Sequence, residues 1–297
     1  MRVRVSLPAQ TLELHEDGGT FVRRYSVSTA RNGAGEQFGS FRTPRGRHLV
    51  RAKIGAAVPE NTVFVRRRPT GDVWTPELAA ANPDRDWILT RILWLSGLEP
   101  GFNRLGQVDT MRRYIYIHGS PDSVPMGSPG SIGCVRMRNR DIVELFDRVP
   151  VGTPVDIVEF RVEEGAWDAL GAAARRIREA VFVEEQRVPV DLELDGLDDA
   201  ARHVVAYGPA GEAVGTGRLL ADGHIGRLAV MPAWRAKGVG RALLERLVEA
   251  ADDSEPLVLH AQTAAAGFYR RFGFVEEGDV FLEADIPHIR MVRSLPA

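Results

Sequence analysis

Cys134 is the only cysteine in the 297-residue sequence, and it lies among residues that suit a nucleophile. It follows Gly133 within residues 131–139 (Ser-Ile-Gly-Cys-Val-Arg-Met-Arg-Asn), and His118 precedes it by sixteen residues. A thiol attacks best as a thiolate, and a nearby imidazole can take the thiol proton and return it to the leaving group. This combination predicts covalent catalysis, with Cys134 as the nucleophile and His118 as the base and acid.

The residues around Cys134 supply the other groups that such chemistry needs. Gly133 permits a tight turn, and the N–H groups of Gly133 and Cys134 are predicted to stabilise an oxyanion, by roughly 3 kcal/mol per donor. Arg136 is predicted to pair with a carboxylate of the substrate. Taken singly, a lone cysteine is usually an inert small hydrophobe. Together and in this order, the residues favour a catalytic site.

A second set of residues, in the other half of the chain, suits an anionic ligand. Residues 225–230 read as a strand, which leads through the glycine-bearing segment 235–241 into an amphipathic helix predicted at 242–250. Gly238 and Gly240 allow a ligand to approach the backbone closely. The N–H groups and the dipole at a helix N-terminus attract phosphate. The pattern therefore predicts a binding site for a phosphate-bearing cofactor.

The elements that position Cys134 are predicted to be mostly strands. Short runs of β-branched and apolar residues at 2–7, 11–15 and 21–28 are broken by Pro8 and Asp17-Gly18-Gly19. The strand-like run 114–117 leads directly to His118. Residues 73–97 show helical spacing instead, which predicts a helical insertion beside the site whose tryptophans serve packing.

Length and charge divide the chain into two predicted domains, residues 1–158 and 159–297. A chain of 297 residues exceeds what a single hydrophobic core usually organises. Residues 1–158 carry 22 basic and 16 acidic side chains, whereas residues 159–297 carry 16 and 24. The basic residues of the first half are scattered apart from 66–68, so no nucleic-acid partner is predicted.

The sequence also predicts where the protein acts and what it lacks. Residues 1–8 have no apolar region like that of a secretory signal, and no stretch is long enough for a transmembrane helix. A single cysteine excludes an intrachain disulfide. Histidine and cysteine show no metal-ligand spacing, so no metal site is predicted. We expect a cytoplasmic protein without a membrane partner.

The His-Gly pair followed by residues 131–139 resembles the signature of L,D-transpeptidase (YkuD-type) catalytic domains. The resemblance covers about residues 3–158 and implies a mostly-β sandwich or barrel, in which Cys134 transfers acyl groups of peptidoglycan stem peptides or muropeptides. It also implies that a backbone carbonyl orients His118, here that of Gly119 or its loop. Ile132 stands where many members have a second histidine.

The 235–240 spacing Arg-x-x-Gly-x-Gly resembles the pyrophosphate loop of GNAT-superfamily acyltransferases, and Phe268-Tyr269 with Gly273-Phe274 resembles a second segment of that superfamily. Residues 178–186, 195–203 and 286–288 resemble its ElaA-like branch. The resemblance implies an α/β domain with a central mixed sheet that binds acetyl-CoA, and it implies that Tyr269 protonates the departing thiolate; a core aromatic role is the alternative. The implied cofactor-binding residues are Leu228, Ala229, Val230, Arg235, Ala236, Lys237, Gly238, Val239, Gly240 and Arg241.

Glu185, His203 and His260 are possible bases for the amine acceptor, but a structural hydrogen bond is the favoured interpretation of each. The sequence assigns neither a base nor an acceptor. The two resemblances together predict a bifunctional enzyme: a cytoplasmic L,D-carboxypeptidase that removes terminal D-alanine from muropeptides, joined to an acetyl-CoA-dependent N-acetyltransferase. The alternatives are an exported L,D-transpeptidase that forms cross-links, an acetyltransferase whose first domain only binds peptide, and a cysteine enzyme whose second domain only senses CoA.

Overall fold

The computed structural model describes residues 1–83, 85–251 and 255–294. The chain forms two compact units, the first made of Met1–His15 and Val22–Glu159, the second of Glu16–Phe21 and the residues from Phe160 onward. The chain thus has two domains, and the first is rich in β-structure. The predicted second domain includes residues 252–254 and 295–297, which lie outside the described part of the chain.

The first domain is built from ten strands and two short helices within its described residues. The predicted strands near the N-terminus form where the apolar runs lie, each within two residues of the expected ends. The elements are β1 (Arg2–Ser6), β2 (Thr11–His15), β3 (Phe21–Ser26), β4 (Gly46–Ile54), β5 (Thr62–Val65), β6 (Arg68–Val73), α1 (Pro76–Ala80), β7 (Ile88–Gly97), β8 (Tyr116–Ser120), β9 (Val135–Arg138), α2 (Asn139–Arg148) and β10 (Pro154–Val158).

These ten strands form one sheet, in the order β3-β2-β1-β10-β4-β7-β5-β6, with β8 attached to β7 and β9 attached to β8. The pairs β1–β10 and β8–β9 are parallel. Alternate residues of the strands point into the core because successive side chains of a strand face opposite sides. Helix α2 lies over β7, β8 and β9 and buries Ile142, Leu145 and Phe146 in that core.

The helix predicted across residues 73–97 is wrong for most of its length. Only α1 is helical there, and Ile88–Gly97 is the ten-residue strand β7. This strand pairs with β4, β5 and β8 and is largely buried along its length, so its apolar residues do not alternate with polar ones and imitate helical spacing. Trp87 packs against Val63 and Leu89, in agreement with its predicted packing role. Asp84 lies outside the described residues.

The second domain contains seven strands and four α-helices within its described residues. The elements are β11 (Arg161–Gly165), α3 (Trp167–Arg178) with a π-helical continuation (Glu179–Glu185), α4 (Val190–Glu193), β12 (Arg202–Tyr207), β13 (Ala213–Leu219), β14 (Ile225–Val230), α5 (Val239–Glu249), β15 (Leu257–Gln262), α6 (Ala266–Arg270), β16 (Val275–Glu283) and β17 (Ile286–Arg293). Helix α5 begins three residues before the predicted start, directly after Gly238.

Two antiparallel sheets, β11-β12-β13-β14 and β15-β17-β16, make up the β-structure of this domain. They meet where β14 and β15 begin, at a parallel bridge between His224 and Val258. Beyond that bridge the two strands form no ladder within the described residues, and a cavity is lined by both of them. A mixed central sheet is predicted for this domain. Among the described residues of the domain, its parallel pairing consists of this single bridge.

A buried cluster of ion pairs ties the helical layer of the second domain to its sheet. Asp198 accepts hydrogen bonds from Arg178 at 2.7 Å and from Arg218 at 2.8 Å. Arg178 also pairs with Glu193, and its side chain is 1% exposed. Burial raises the pKa of Asp198, but the bonds from Arg178 and Arg218 outweigh burial and hold that pKa below its ordinary value.

We expect Arg178→Met to lower the free energy of unfolding by about 3–5 kcal/mol, because it leaves buried carboxylates without their partner. Arg202→Met is the matched control: Arg202 also pairs with a carboxylate, but its side chain is 63% exposed, so a loss below about 1 kcal/mol is expected. Urea unfolding followed by circular dichroism measures both. Equal stability of the Arg178 variant and the unmodified chain would contradict a structural role for the cluster.

Candidate active sites

The parallel pair β8–β9 places the predicted nucleophile and base on one face of the sheet. His118 lies opposite Arg136 in the ladder, and the Tyr116 N–H points at the Cys134 sulfur at 3.4 Å. Since side chains alternate along each strand, His118, Arg136 and Cys134 share a face. Strand spacing and rise put the Cα atoms of Cys134 and His118 on the order of 8 Å apart. A thiol and an imidazole can meet across that distance.

His118 is fully buried and held in one orientation by its own strand. Its Nδ1 lies 2.8 Å from the carbonyl oxygen of Gly119, so we assign the proton to Nδ1. Its Nε2 has no hydrogen-bond partner among the described residues, which leaves it free to accept a proton. Gly119 must be glycine for reasons of space, because an added Cβ would lie 2.8 Å from the Leu89 carbonyl oxygen. The sequence predicts a strand at 114–117 that ends just before His118. In the structure, β8 begins at Tyr116 and includes both His118 and Gly119.

Cys134 is partly buried, and one side of it packs against the apolar cluster of Phe64, Ile92 and Tyr116. Its thiol donates a hydrogen bond to the carbonyl oxygen of Tyr114 at 3.6 Å. Burial raises the pKa of the Cys134 thiol to about 12, against the hydrogen bond from the Tyr116 N–H, which lowers it. Burial likewise lowers the pKa of His118. Both shifts favour the neutral forms of these groups, a thiol and an imidazole, in the resting site.

The two predicted oxyanion donors differ in availability. Gly133 has φ of 137°, a conformation that favours glycine, and its N–H lies 3.2 Å from the hydroxyl of Ser131. Its carbonyl accepts a hydrogen bond from Thr43 at 3.0 Å. The Cys134 N–H, by contrast, has no partner in the described part of the chain. The Gly133 N–H is engaged, and the Cys134 N–H is the free donor.

Asp86 is a member of this site that sequence reasoning missed. Its carboxylate lies 2.6 Å from the guanidinium of Arg136, and its charge raises the pKa values of both His118 and Cys134. Arg136 is therefore already paired, and a substrate carboxylate would have to compete with Asp86 for it. Asp86 lies in the segment predicted to be helical, and no motif marks it.

Strand β14 carries a β-bulge where the implied acetyl site lies. Thr216 pairs with Ala229 and Arg218 pairs with Gly226, so two residues of β14, Arg227 and Leu228, stand opposite one residue of β13. Arg227 has φ of 52°, in the left-handed region. A bulge takes backbone groups out of the ladder, and here it frees those of Leu228 to contact a ligand. Ala229 and Val230 remain in the ladder.

The glycine-bearing loop presents the N-terminus of α5. Gly238 adopts φ of 86° and caps the helix without a side-chain hydrogen bond, so the first N–H groups, those of Val239, Gly240 and Arg241, point out of the helix. Arg235 is held by Glu185 through two hydrogen bonds of 2.7 and 2.6 Å. The predicted anion site therefore consists mainly of backbone groups. The other two residues of the loop are Ala236, with φ of 60°, and Lys237, which lies over the Trp234 ring.

Tyr269 on α6 lines the same cavity as Leu228. Its ring contacts Phe268 and Phe274, with centroids 5.0 and 6.2 Å away. Burial raises the pKa of Tyr269 to about 12, so the phenol is protonated at neutral pH and can donate a proton. Tyr269 thus combines the two roles that the sequence left open, because its ring is packed while the residue still borders the cavity.

The three candidate bases lie in different environments. Glu185 is tied to Arg235. His203 is buried, and its Nε2 lies 2.9 Å from the carbonyl oxygen of Asp198, as expected for a structural hydrogen bond. His260 lines the cavity with Tyr269, as do His224 and His288, which sequence reasoning missed as cavity residues.

Two general features complete the description. Among the described residues, no helix is both long and apolar enough to span a membrane. In the same residues, no group of three or more histidine, cysteine, aspartate and glutamate side chains is placed to hold a metal ion.

Comparison with known proteins identifies a family for each domain. The family model of the L,D-transpeptidase catalytic domain (YkuD) matches residues 1–157, which is more than half of the chain, and that of the GNAT acetyltransferase domain matches residues 173–295. The uncharacterized N-acetyltransferase YjcF of Bacillus subtilis is 38% identical over 124 residues, which cover 40% of this chain and 88% of that protein. Protein ElaA of Escherichia coli is 34% identical over 133 residues, covering 41% and 86%.

The second domain is also similar to a solved structure, an acyl-CoA N-acyltransferase from Pseudomonas aeruginosa. The sequence identity is 35%, with 46% of this chain and 99% of that chain covered and a TM-score of 0.42.

We expect NMR titration to find the His118 pKa below the ordinary value of about 6.5, and to find it lower still in Asp86→Asn. Burial disfavours the imidazolium, and the charge of Asp86, which favours it, is removed in the variant. His48 is the internal control, since burial lowers its pKa to about 4 and Asp86 is not among the groups that affect it. An unchanged or raised His118 pKa in the variant would contradict this electrostatic account.

Proposed function

This chain belongs to the L,D-transpeptidase (YkuD) family through its first domain and to the GNAT acetyltransferases through its second, and from this we propose a bifunctional enzyme. Residues 1–158 carry out acyl transfer on peptidoglycan-derived stem peptides. Residues 159–297 use acetyl-CoA to acetylate a primary amine. The observation that supports the first activity best is the His118 Nε2, which is buried, unpartnered in the described chain and on the same face as Cys134.

In the first reaction, the Cys134 sulfur attacks the carbonyl carbon at the L-centre of the diamino acid, just before the terminal D-alanine. His118 Nε2 takes the thiol proton as the C–S bond forms, and the Cys134 N–H donates to the oxyanion. His118 then gives the proton to the leaving D-alanine amine. Arg136 binds the terminal carboxylate of the substrate in place of Asp86.

Water or an amine can release the acyl-enzyme, and we propose water, which makes the first domain an L,D-carboxypeptidase. The second domain requires acetyl-CoA, a cytoplasmic cofactor, and the lone cysteine suits a reducing compartment. In the cytoplasm, soluble muropeptides are the accessible stem peptides. We therefore propose that the enzyme acts in the cytoplasm on muropeptides rather than on cross-linked peptidoglycan.

In the second reaction, the N–H groups at the start of α5 hold the pyrophosphate of acetyl-CoA, with the helix dipole adding attraction. The backbone freed by the bulge at Leu228 binds the acetyl carbonyl. The amine attacks the carbonyl carbon, the C–S bond breaks, Tyr269 gives its proton to the thiolate, and the nitrogen gives up a proton that restores Tyr269. The position of Tyr269 on the cavity wall next to Leu228 supports this role.

We expect mass spectrometry to show loss of the terminal alanine when the protein is incubated with L-Ala-γ-D-Glu-diaminopimelate-D-Ala. Cys134→Ala should abolish this loss because it removes the nucleophile, and Tyr269→Phe should leave it unchanged. In an amine-acetylation assay the pattern should reverse: Tyr269→Phe should lower kcat by about 10²-fold or more, while Cys134→Ala retains the activity. Each variant is thus the control for the other site.

Three outcomes would contradict parts of the proposal. Alanine loss that persists in Cys134→Ala would mean that Cys134 is not the nucleophile. A dimeric peptide, or exchange of the terminal alanine for an added D-amino acid without hydrolysis, would identify a transpeptidase. Tight acetyl-CoA binding without acetylation of any amine would make the second domain a CoA sensor.

A further inference from the structure

A cavity of about 280 Å³ lies between β14 and β15, beyond the bridge that joins the two sheets. Leu228 and Tyr269 line it, so it borders the proposed acetyl site. The residues of the 235–241 loop do not line it, so the cavity is not the phosphate site. Its position, next to the acetyl group and away from the phosphates, is where an acceptor must enter.

His260 on β15 faces this cavity, and its ring is held on three sides. Its Nδ1 lies 3.4 Å from a carboxylate oxygen of Glu283, the last residue of β16. The rings of His224 and Phe281 pack against it edge to face, with centroids 5.0 and 4.9 Å away. With Nδ1 turned toward the carboxylate, Nε2 is the nitrogen that can accept a proton. The side chain is 37% exposed, so an acceptor can reach it.

The other charged and titratable groups of the cavity are already engaged. Arg227 donates to the carbonyls of Leu192 and Glu193, both at 3.1 Å, and to Asp195 at 2.9 Å. The Glu193 carboxylate pairs with the buried Arg178.

The two further histidines of the cavity are engaged or uncharged. His288 has its Nδ1 2.8 Å from the carbonyl oxygen of Ile286. Burial lowers the pKa of His224, so that ring stays neutral at neutral pH. Among the described lining residues, Glu283 is therefore the carboxylate without an arginine partner.

This distribution of charge selects a class of acceptor. One carboxylate suits a single ammonium, whereas a polyamine needs several. A free amino acid would need an unpaired cation for its carboxylate, and Arg227 is committed. The rest of the wall includes the apolar side chains of Phe182, Val188, Leu192 and Leu259, which favour an apolar body on the acceptor.

We propose that this cavity binds a primary monoamine with an apolar body, and that His260, oriented by Glu283, is the general base of the acetyl transfer; the proposal rests on the proposed acetyltransferase function. His260 Nε2 takes one proton from the ammonium. The neutral nitrogen then forms its bond to the acetyl carbon, and the C–S bond breaks. The thiolate takes the Tyr269 proton, and the second nitrogen proton restores Tyr269.

The test uses the full chain with acetyl-CoA and three probe amines, namely 2-phenylethylamine, spermidine and glycine, and measures the N-acetyl products by mass spectrometry. We expect kcat/KM for 2-phenylethylamine to exceed the other two by at least about 10-fold. His260→Gln should lower kcat about 10²-fold or more with little change in KM, and should remove the acid limb of the pH profile, because that limb reports protonation of the base.

Two further variants separate the roles. Glu283→Gln should raise KM, since it removes the charge that attracts the ammonium. Glu277→Gln lies on the same strand, outside the cavity and paired with Arg290, and should leave KM unchanged. Isothermal titration with acetyl-CoA checks that His260→Gln is folded, and an unchanged Kd is expected.

Two results would overturn the inference while leaving the proposed function intact. One is preferred acetylation of spermidine or glycine. The other is a His260→Gln variant that keeps its kcat and its acid limb. If the chain binds acetyl-CoA but acetylates none of the three amines, the proposed acetyltransferase function is contradicted, and the inference falls with it.

Discussion

The parallel pairing of β8 with β9 is the constraint on which the cysteine site depends. Two adjacent parallel strands need a crossover of a dozen or more residues, and fourteen residues separate Ser120 from Val135. The sixteen-residue spacing of His118 and Cys134 is therefore the length of this crossover, which ends at Cys134, plus Gly119 and Ser120 at the end of β8. Backbone hydrogen bonds of Gly127 to Val27, and of Gly130 and Ser131 to Thr29, fix the crossover to the sheet. Backbone geometry thus places Cys134 two residues before Arg136, the ladder partner of His118.

Burial of this pair determines its chemistry. Desolvation disfavours both the thiolate and the imidazolium, so Cys134 and His118 are uncharged before the substrate arrives and the charge of the site lies on the Asp86–Arg136 pair. The proposed acetyltransferase site shares one physical feature with the cysteine site. In both sites a local break in regular structure, the Gly133 turn and the Arg227–Leu228 bulge, frees backbone groups that would otherwise be paired. Both proposed sites therefore lie where regular backbone hydrogen bonding is interrupted.

The sequence predicts the local parts of this account and misses those assembled from distant segments. The Cys134 turn, the glycine-bearing loop before α5 and strand β14 follow from short patterns of glycine and apolar residues. Strand β7 was mispredicted because a strand buried on both faces has no period of two. Asp86 and the cavity pair His260–Glu283 have no sequence signal, since each becomes meaningful only when the fold brings it to a partner far along the chain.

The pH dependence of Cys134 alkylation tests the central claim most directly, namely that the resting site is a neutral thiol–imidazole pair. Because the chain has one cysteine, the rate of iodoacetamide modification, followed by intact mass, reports the thiolate fraction of Cys134 alone. An ordinary cysteine levels off above its pKa of about 8.5. A neutral resting thiol should react slowly, at a rate that still rises well beyond that pH, as a pKa of about 12 requires. A fast reaction that levels off below about pH 8.5 would show a preformed thiolate and contradict it.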